Sequence, residues 1–374
     1  MNFLFLESSR SWGGQEYRTC LEINWLNANG HAAWFIVDPD SEVFAKAREA
    51  GTRVLPLNLK QRFNVLTTLR LWKFCRAHAI DIVKTYSSKD HWLALPLYWA
   101  GWPLTRSRCI TDPVGSWSRS YIFRHGCSKI VADAGVIKTQ LVEKNGVDAN
   151  RVEVIGSAVH LDKFNPDHDG AAFRLEFGVA PEAPLIVNIG MIRPDKGQTQ
   201  LAEAAALVVA QRPNARFIFV GKGTGKGTRE ARLRELINAA GIADKVFMAG
   251  YRWNTPEILA AADIVAIASL HTEASPIVLR EAFACGRAVV ATAVGDVPEV
   301  MIDGENGLLV NPGSPVELAT AILRFIDEEA LRLRCANNAL QFARQHFAFD
   351  QMMASKLAVD ETLVRAARAK RRPR

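Results

Sequence analysis

Residues 271–299 read HTEASPIVLREAFACGRAVVATAVGDVPE. The run ahead of this stretch, 264–270, is apolar and reads as a buried strand, so Glu273 stands at a strand's carboxyl end. Pro276 suits the first turn of a helix, where a missing N–H costs nothing, and Glu281 lies further along that helix. The helix start, around Ser275, Pro276, Ile277 and Val278, offers free N–H groups and a positive dipole end. Both favour a diphosphate. Two carboxylates placed this way can each accept hydrogen bonds from vicinal hydroxyls. The small residues of AFACG let the helix pack closely before a second buried strand, 288–291.

Working outward, the same strand-then-helix unit recurs along the chain. Strands are predicted at 2–6, 32–37, 52–57, 81–85, 108–111, 129–132 and 152–155, with helices at 15–29 and 64–78. A second series of strands is predicted at 185–189, 216–220, 245–249, 264–268 and 288–291. Apolar strands alternating with amphipathic helices indicate parallel sheets covered on both faces. Between the two series, residues 161–170 (LDKFNPDHDG) have no apolar period and carry Pro166 and Gly170, which reads as a linker. The expectation is an α/β chain of two Rossmann-like domains facing a cleft: 1–164, 165–349, and a closing helix with a basic tail at 350–374. Ligands of such folds bind beyond the carboxyl ends of the strands.

With 374 residues, 49% of them apolar and 23% charged, each half can bury its own core. The net charge of +7 is concentrated at the end. Arg365, Arg368, Lys370, Arg371, Arg372 and Arg374 leave about +1 for everything before them. No base-stacking aromatics interleave with these cations, so nucleic acid is not an expected partner. The apolar stretch at 91–102 is too short to span a bilayer. The six cysteines show no CxxC spacing, which suggests reduced thiols and a cytoplasmic setting. The first residues lack the pattern of a secretory signal. Asp38-Pro39-Asp40 reads as a turn, and no metal or other cofactor is expected.

A second cluster lies at 188–201, NIGMIRPDKGQTQL. Arg193 and Lys196 fall between a strand and a helix, where two cations can clamp a diphosphate and neutralise a leaving nucleotide. The glycine loop of 219–230, FVGKGTGKGTRE, allows close backbone approach at Gly221 and Gly223. Its spacing excludes a P-loop, because Gly227 follows Lys226.

The 271–299 stretch resembles the signature of the retaining family-4 glycosyltransferases of GT-B fold (glycosyl transferases group 1). The matching positions are Glu273, Pro276, Glu281, Ala282, Ala284, Gly286, Val289, Val290, Ala291, Gly295 and Glu299. Ala274 stands in place of the usual glycine, and Arg287-Ala288 in place of a small residue and proline. The resemblance implies a hexosyltransferase using a nucleotide-sugar, with Glu273 on the donor sugar, Glu281 on the ribose, and Arg193 and Lys196 on the diphosphate. It also implies a final helix that crosses back to the first domain.

On the acceptor side, Gly13, Gly14 and Glu16 resemble the family's G-G-x-E element, and Ser87, Ser88, Lys89 and Asp90 a subgroup pattern. Cys109 stands where relatives carry a histidine, with Asp112 as an alternative carboxylate nearby. His160 replaces a usual aspartate. The expected partners are a nucleotide-sugar donor, of UDP type, and a glycan or lipid-linked acceptor of the cell envelope, as in lipopolysaccharide synthesis. Peripheral contact with an anionic membrane is also expected, from the tail and the basic aromatic segment 63–78. Two other readings stay open from these residues: a nucleotide-sugar epimerase of the same fold, and a non-catalytic sugar-nucleotide binder.

Overall fold

The computed structural model describes residues 1–61, 63–115, 117–223, 227–271 and 273–371, with side chains 117–119 and 371 excepted. Lys226 of the glycine loop and Arg372 and Arg374 of the tail therefore lie outside the described residues. The chain divides into two compact units, residues 1–156 with 353–374, and residues 157–352.

Among the described residues, the first unit is built on seven parallel strands in the order β3-β2-β1-β4-β5-β6-β7. They are β1 (Asn2–Glu7), β2 (Ala32–Val37), β3 (Val54–Pro56), β4 (Ile82–Thr85), β5 (Leu104–Arg108), β6 (Lys129–Ala132) and β7 (Val152–Val154). Phe3, Leu4, Phe5 and Leu6 of β1 are fully buried, as a strand covered on both faces requires. The second unit has six parallel strands in the order β10-β9-β8-β11-β12-β13 among the described residues. These are β8 (Leu185–Ile189), β9 (Arg216–Val220), β10 (Val246–Gly250), β11 (Ile264–Ile267), β12 (Ala288–Thr292) and β13 (Leu308–Val310). In both sheets the winding reverses once, between β1 and β4 and between β8 and β11.

Three expectations need correction. The fifth strand is Leu104–Arg108, not 108–111. It was hidden because its inward Arg106 is polar, buried over the Phe123 ring 4.9 Å away. Strand β13 was not anticipated, being only three residues long. Residues 161–170 are not a free linker. Phe164 joins the core of the second unit. Gly170 packs so tightly on Ala261 that any Cβ would overlap its backbone. The division falls at 156/157, ahead of that segment.

The final helix, Phe349–Arg371, belongs to the first unit from residue 353 onward. Buried ion pairs fasten it there: Lys356 to Glu22, and Asp360 to Lys84 at 2.6 Å.

Candidate functional site: the β8/β11 junction

The reversal point of a parallel sheet leaves a crevice, because the helices on either side turn away in opposite directions. In the second unit this point lies between β8 and β11. The loop after β8 carries Arg193 and Lys196, and the segment after β11 carries Glu273.

These loops are stitched together. The Leu270 N–H donates to the Asp195 carbonyl at 2.8 Å. Gly197, at φ 65°, lies so close to the Ala268 carbonyl that a side chain there would overlap it. Gln198 is buried and braces the turn, its amide donating to the Met191 carbonyl at 3.0 Å. The Lys196 ammonium is thereby brought onto the Glu273 carboxylate as an ion pair. The Ser269 hydroxyl donates to the same Glu273 oxygen at 2.7 Å. Arg193 turns to Asp195, its Nε donating at 2.9 Å. Ser269 and Asp195 carried no signal in the sequence, since their roles depend on which loops the fold makes adjacent.

Downstream, Pro276 is the residue at which the chain enters the helix Ile277–Ala284, one position earlier than a first-turn proline. Ser275 is engaged from two directions: its hydroxyl accepts from the Ser157 N–H at 3.2 Å and bonds to the Asp296 carboxylate. Ile277 is exposed and Val278 half-buried. Gly295, at φ 61°, lies against the Glu273 carbonyl with no room for a Cβ. Glycine is required twice over, for the left-handed backbone and for the approach. Glu281 is half-buried, and burial pushes its carboxyl up to about 7 although Lys163 pulls the other way. Nothing among the described residues donates a hydrogen bond to it. A carboxyl with that burden and no donor is ready for hydroxyls.

Beneath the loop lies a buried ion pair that sequence reasoning missed. Arg280 is 1% exposed, bonds the Asp296 carboxylate, donates from Nε to the Ser157 carbonyl at 2.7 Å, and sits 4.8 Å over the Phe347 ring. Gly221, at φ 147°, packs on the Gly190 carbonyl and donates its N–H to Gly250 at 2.8 Å. The Gly223 N–H is taken by the Glu230 carboxylate.

In the first unit the reversal point lies between β1 and β4. Gly13 caps the helix Gly14–Ala28, with the Glu16 carboxylate folded over it. Ser8 and Ser87, from the loops after β1 and β4, bond through their hydroxyls. Asp90 accepts from the Ser87 N–H at 3.0 Å and closes a capping box at the start of the helix Ser88–Trp99. Ser88 is half-buried and Lys89 exposed. Glu7, fully buried at the end of β1, is pushed up to about 8 by burial and by the nearby Asp90.

Cys109 is held by Arg18, whose Nη2 lies 2.8 Å from Sγ, and burial pushes the thiol up to about 12. A thiol so disfavoured as thiolate is no general base at neutral pH. Asp112 is exposed and offers only its carbonyl, to Arg108. His160 stacks on Phe349 at 4.1 Å. Asp38-Pro39-Asp40 forms an Asx turn, Asp38 accepting the Asp40 N–H at 3.0 Å. Among the described residues no group of three or more His, Cys, Asp or Glu side chains could hold a metal ion.

Two parallel α/β units with their charged loops at the sheet reversal points define the GT-B class of glycosyltransferase fold. The family profile Glycosyltransferase Family 4 matches residues 12–163, and Glycosyl transferases group 1 matches 172–342. The chain belongs to these group 1, family 4 glycosyltransferases. The D-inositol 3-phosphate glycosyltransferase of Thermomonospora curvata is 35% identical over 236 residues, 59% of this chain and 53% of that protein. Its counterpart in Mycolicibacterium smegmatis is 33% identical over 232 residues, 61% of this chain and 52% of that protein. The chain thus spans about half the length of the curated relatives it matches. Among solved structures, Anabaena HepE in complex with UDP superposes with a TM-score of 0.86 at 23% identity, covering 97% of this chain and 100% of that one. WaaG, a glycosyltransferase involved in lipopolysaccharide biosynthesis, gives 0.71 at 17% identity, covering 94% of this chain and 98% of that one. At these identities the likeness is one of fold.

Proposed function

We propose that the chain is a retaining hexosyltransferase that moves a sugar from a nucleotide-sugar, of UDP type, onto an acceptor hydroxyl. The observation that carries this reading is the Lys196–Glu273 ion pair at the β8/β11 junction, one turn from a helix start. A diphosphate entering there would draw Lys196 and Arg193 away from Glu273 and Asp195. Glu273 would then be free to accept hydrogen bonds from the sugar, and Glu281 from the ribose. Anabaena HepE, of the same fold, has been solved with UDP-glucose, which supports a donor of this class.

In the proposed reaction the bond from the anomeric carbon to the diphosphate oxygen breaks, and its electrons leave with the nucleotide. Arg193, Lys196 and the N–H groups of Ile277 and Val278 stabilise that charge. The acceptor oxygen attacks from the same face, and its proton passes to the departing phosphate oxygen, so no protein base is required. That suits a chain with a buried thiol at Cys109. The proposed acceptor is a glycan or lipid-linked saccharide of the cell envelope, reached through peripheral contact with an anionic membrane. No metal takes part in the scheme.

The test is a thermal-shift screen with UDP-, GDP- and ADP-sugars, followed by product analysis with an acceptor panel. A donor that binds the folded state raises the apparent melting temperature. If no nucleotide-sugar shifts it, or if a free epimer forms without acceptor, the transferase reading fails.

A further inference from the structure

The helix Val65–Ala77 has two apolar faces, and its own fold covers only one. Thr67, Leu71 and Cys75 are buried against the first unit. On the outward face Val65, Leu66 and Leu69 are 77%, 60% and 52% exposed, and Phe63 just before the helix is 70% exposed. Four large apolar side chains within seven residues, left in water, need a partner.

The charge around them says what kind. Between Glu49 and Asp81 the chain carries Arg53, Lys60, Arg62, Arg70, Lys73 and Arg76 and no acid. Lys60 is paired with Asp40, and Arg53 and Arg76 lie over tryptophan rings. Arg70 and Lys73 follow Leu66 and Leu69 at helical spacing on the exposed face, and neither has an ion-pair partner among the described residues. Apolar side chains followed one turn later by unpaired cations fit a headgroup layer, where acyl chains and phosphates lie a few ångströms apart. An acidic protein groove would be complementary to the cations but would not call for four exposed aliphatic and aromatic groups beside them.

We propose that this face docks onto an anionic lipid surface, with Phe63, Val65, Leu66 and Leu69 entering the interface and Arg70 and Lys73 meeting lipid phosphates. In a parallel sheet the helices run back against the strands, so the helix start lies at the strands' carboxyl ends. Phe63 packs 5.3 Å from the Trp92 ring, one turn into the helix that Ser87 caps. The docking face therefore borders the Ser87–Lys89 segment, and an acceptor held in the membrane would arrive at that same rim. The inference deepens the membrane-contact part of the proposed function and is independent of its transfer chemistry.

The experiment is co-sedimentation of the full chain with phosphatidylcholine vesicles with and without phosphatidylglycerol, alongside transfer assays on a water-soluble acceptor. The wild type should bind only the anionic vesicles. Arg70→Glu/Lys73→Glu should weaken binding by at least about 20-fold, at roughly fivefold per basic charge removed. Leu66→Ser/Leu69→Ser should weaken it by about tenfold or more. Both variants should keep the wild-type melting temperature and soluble-acceptor activity. The proposal is overturned if the wild type ignores anionic vesicles, if neither double variant changes binding, or if only removal of residues 371–374 does. Sedimentation velocity gives a further check: an oligomer that falls to monomer in the leucine variant, with vesicle binding unchanged, would assign the face to a second copy. Loss of transfer with vesicle binding intact would instead sink the catalytic reading and leave this one standing.

Discussion

Lys196 and Glu273, 77 positions apart in sequence, form an ion pair across the two loops that flank the β8/β11 junction. Neither side chain is held by its own loop alone. The pair exists because Leu270 bonds Asp195 and because Gly197 and Gly295 let backbone approach backbone.

Replacing Lys196 by alanine should lower kcat/KM for transfer by on the order of 10²–10³, by analogy with the loss of one preorganised donor to a leaving oxyanion. Glu273→Gln should lower it comparably. Because each relieves the other's partner, the double variant should lose less than the product of the two. Steady-state kinetics on the three variants would decide this, and a Lys196→Ala enzyme of full activity would remove the site assignment. EDTA should leave the wild-type rate unchanged.

Glu281 should make donor binding depend on pH. Its carboxyl is pushed up to about 7 by burial, and hydroxyl donors from a ribose would favour the ionised form. Binding should therefore release protons, and affinity should rise as pH increases through about 7, then level off. Calorimetry with UDP-glucose, whose diphosphate does not titrate in this range, would measure it. Glu281→Gln should bind more weakly above pH 7 and show no such slope; a retained slope would refute the role.

The Arg280–Asp296 pair braces the turn at Ser275 and Pro276 from below. Arg280→Met leaves a carboxylate buried without its cation, which typically costs about 3–5 kcal/mol. Arg280→Met/Asp296→Leu removes both charges and should recover most of that loss. If the turn matters for the donor, the stable double variant should still show a raised KM. Chemical denaturation and kinetics together separate the two effects. A double variant with wild-type KM would make the pair purely structural.

Glu7 should make the first unit less stable as pH rises. Its folded value of about 8 exceeds the ordinary 4.5, so the folded state holds a proton that the unfolded state releases. The stabilisation is complete below about pH 4.5 and is lost as pH rises through about 8. Glu7→Gln keeps the acceptor for the Ser9 N–H at 2.9 Å and stays neutral, with the Gln15 amide free to flip. Its melting temperature should exceed the wild type's at about pH 9 and match it at about pH 5, a gap on the order of a few kcal/mol in stability. Parallel curves at both pH values would contradict the buried protonated state.

Much of the architecture could be read from residue pattern. Runs such as Phe3–Leu6 or Ile264–Ile267 are apolar on both faces, which only a covered parallel strand needs. The Asn64 cap, whose side chain accepts the Thr67 N–H at 3.0 Å, marks its helix start in the sequence as it does in space. Strand β5 escaped because Arg106 is buried over an aromatic ring, a contact with a residue 17 positions on. The 161–170 segment misled because proline, glycine and acids signal a turn whether or not the turn is packed, and Phe164 is packed.

The site divides along the same line. The types and local spacing of Glu273, Pro276 and Glu281, and of Arg193 and Lys196, were determined by sequence, because one strand, one loop and one helix carry each set. Only the tertiary structure decided that Lys196 meets Glu273, that Arg280 finds Asp296, that burial lifts Glu281 and Glu7, and that Leu66 and Leu69 face water while Leu71 does not. Local spacing follows from helix and strand periods, which the chain encodes residue by residue. Pairing across loops and the desolvation of a carboxyl depend on what the rest of the fold brings alongside.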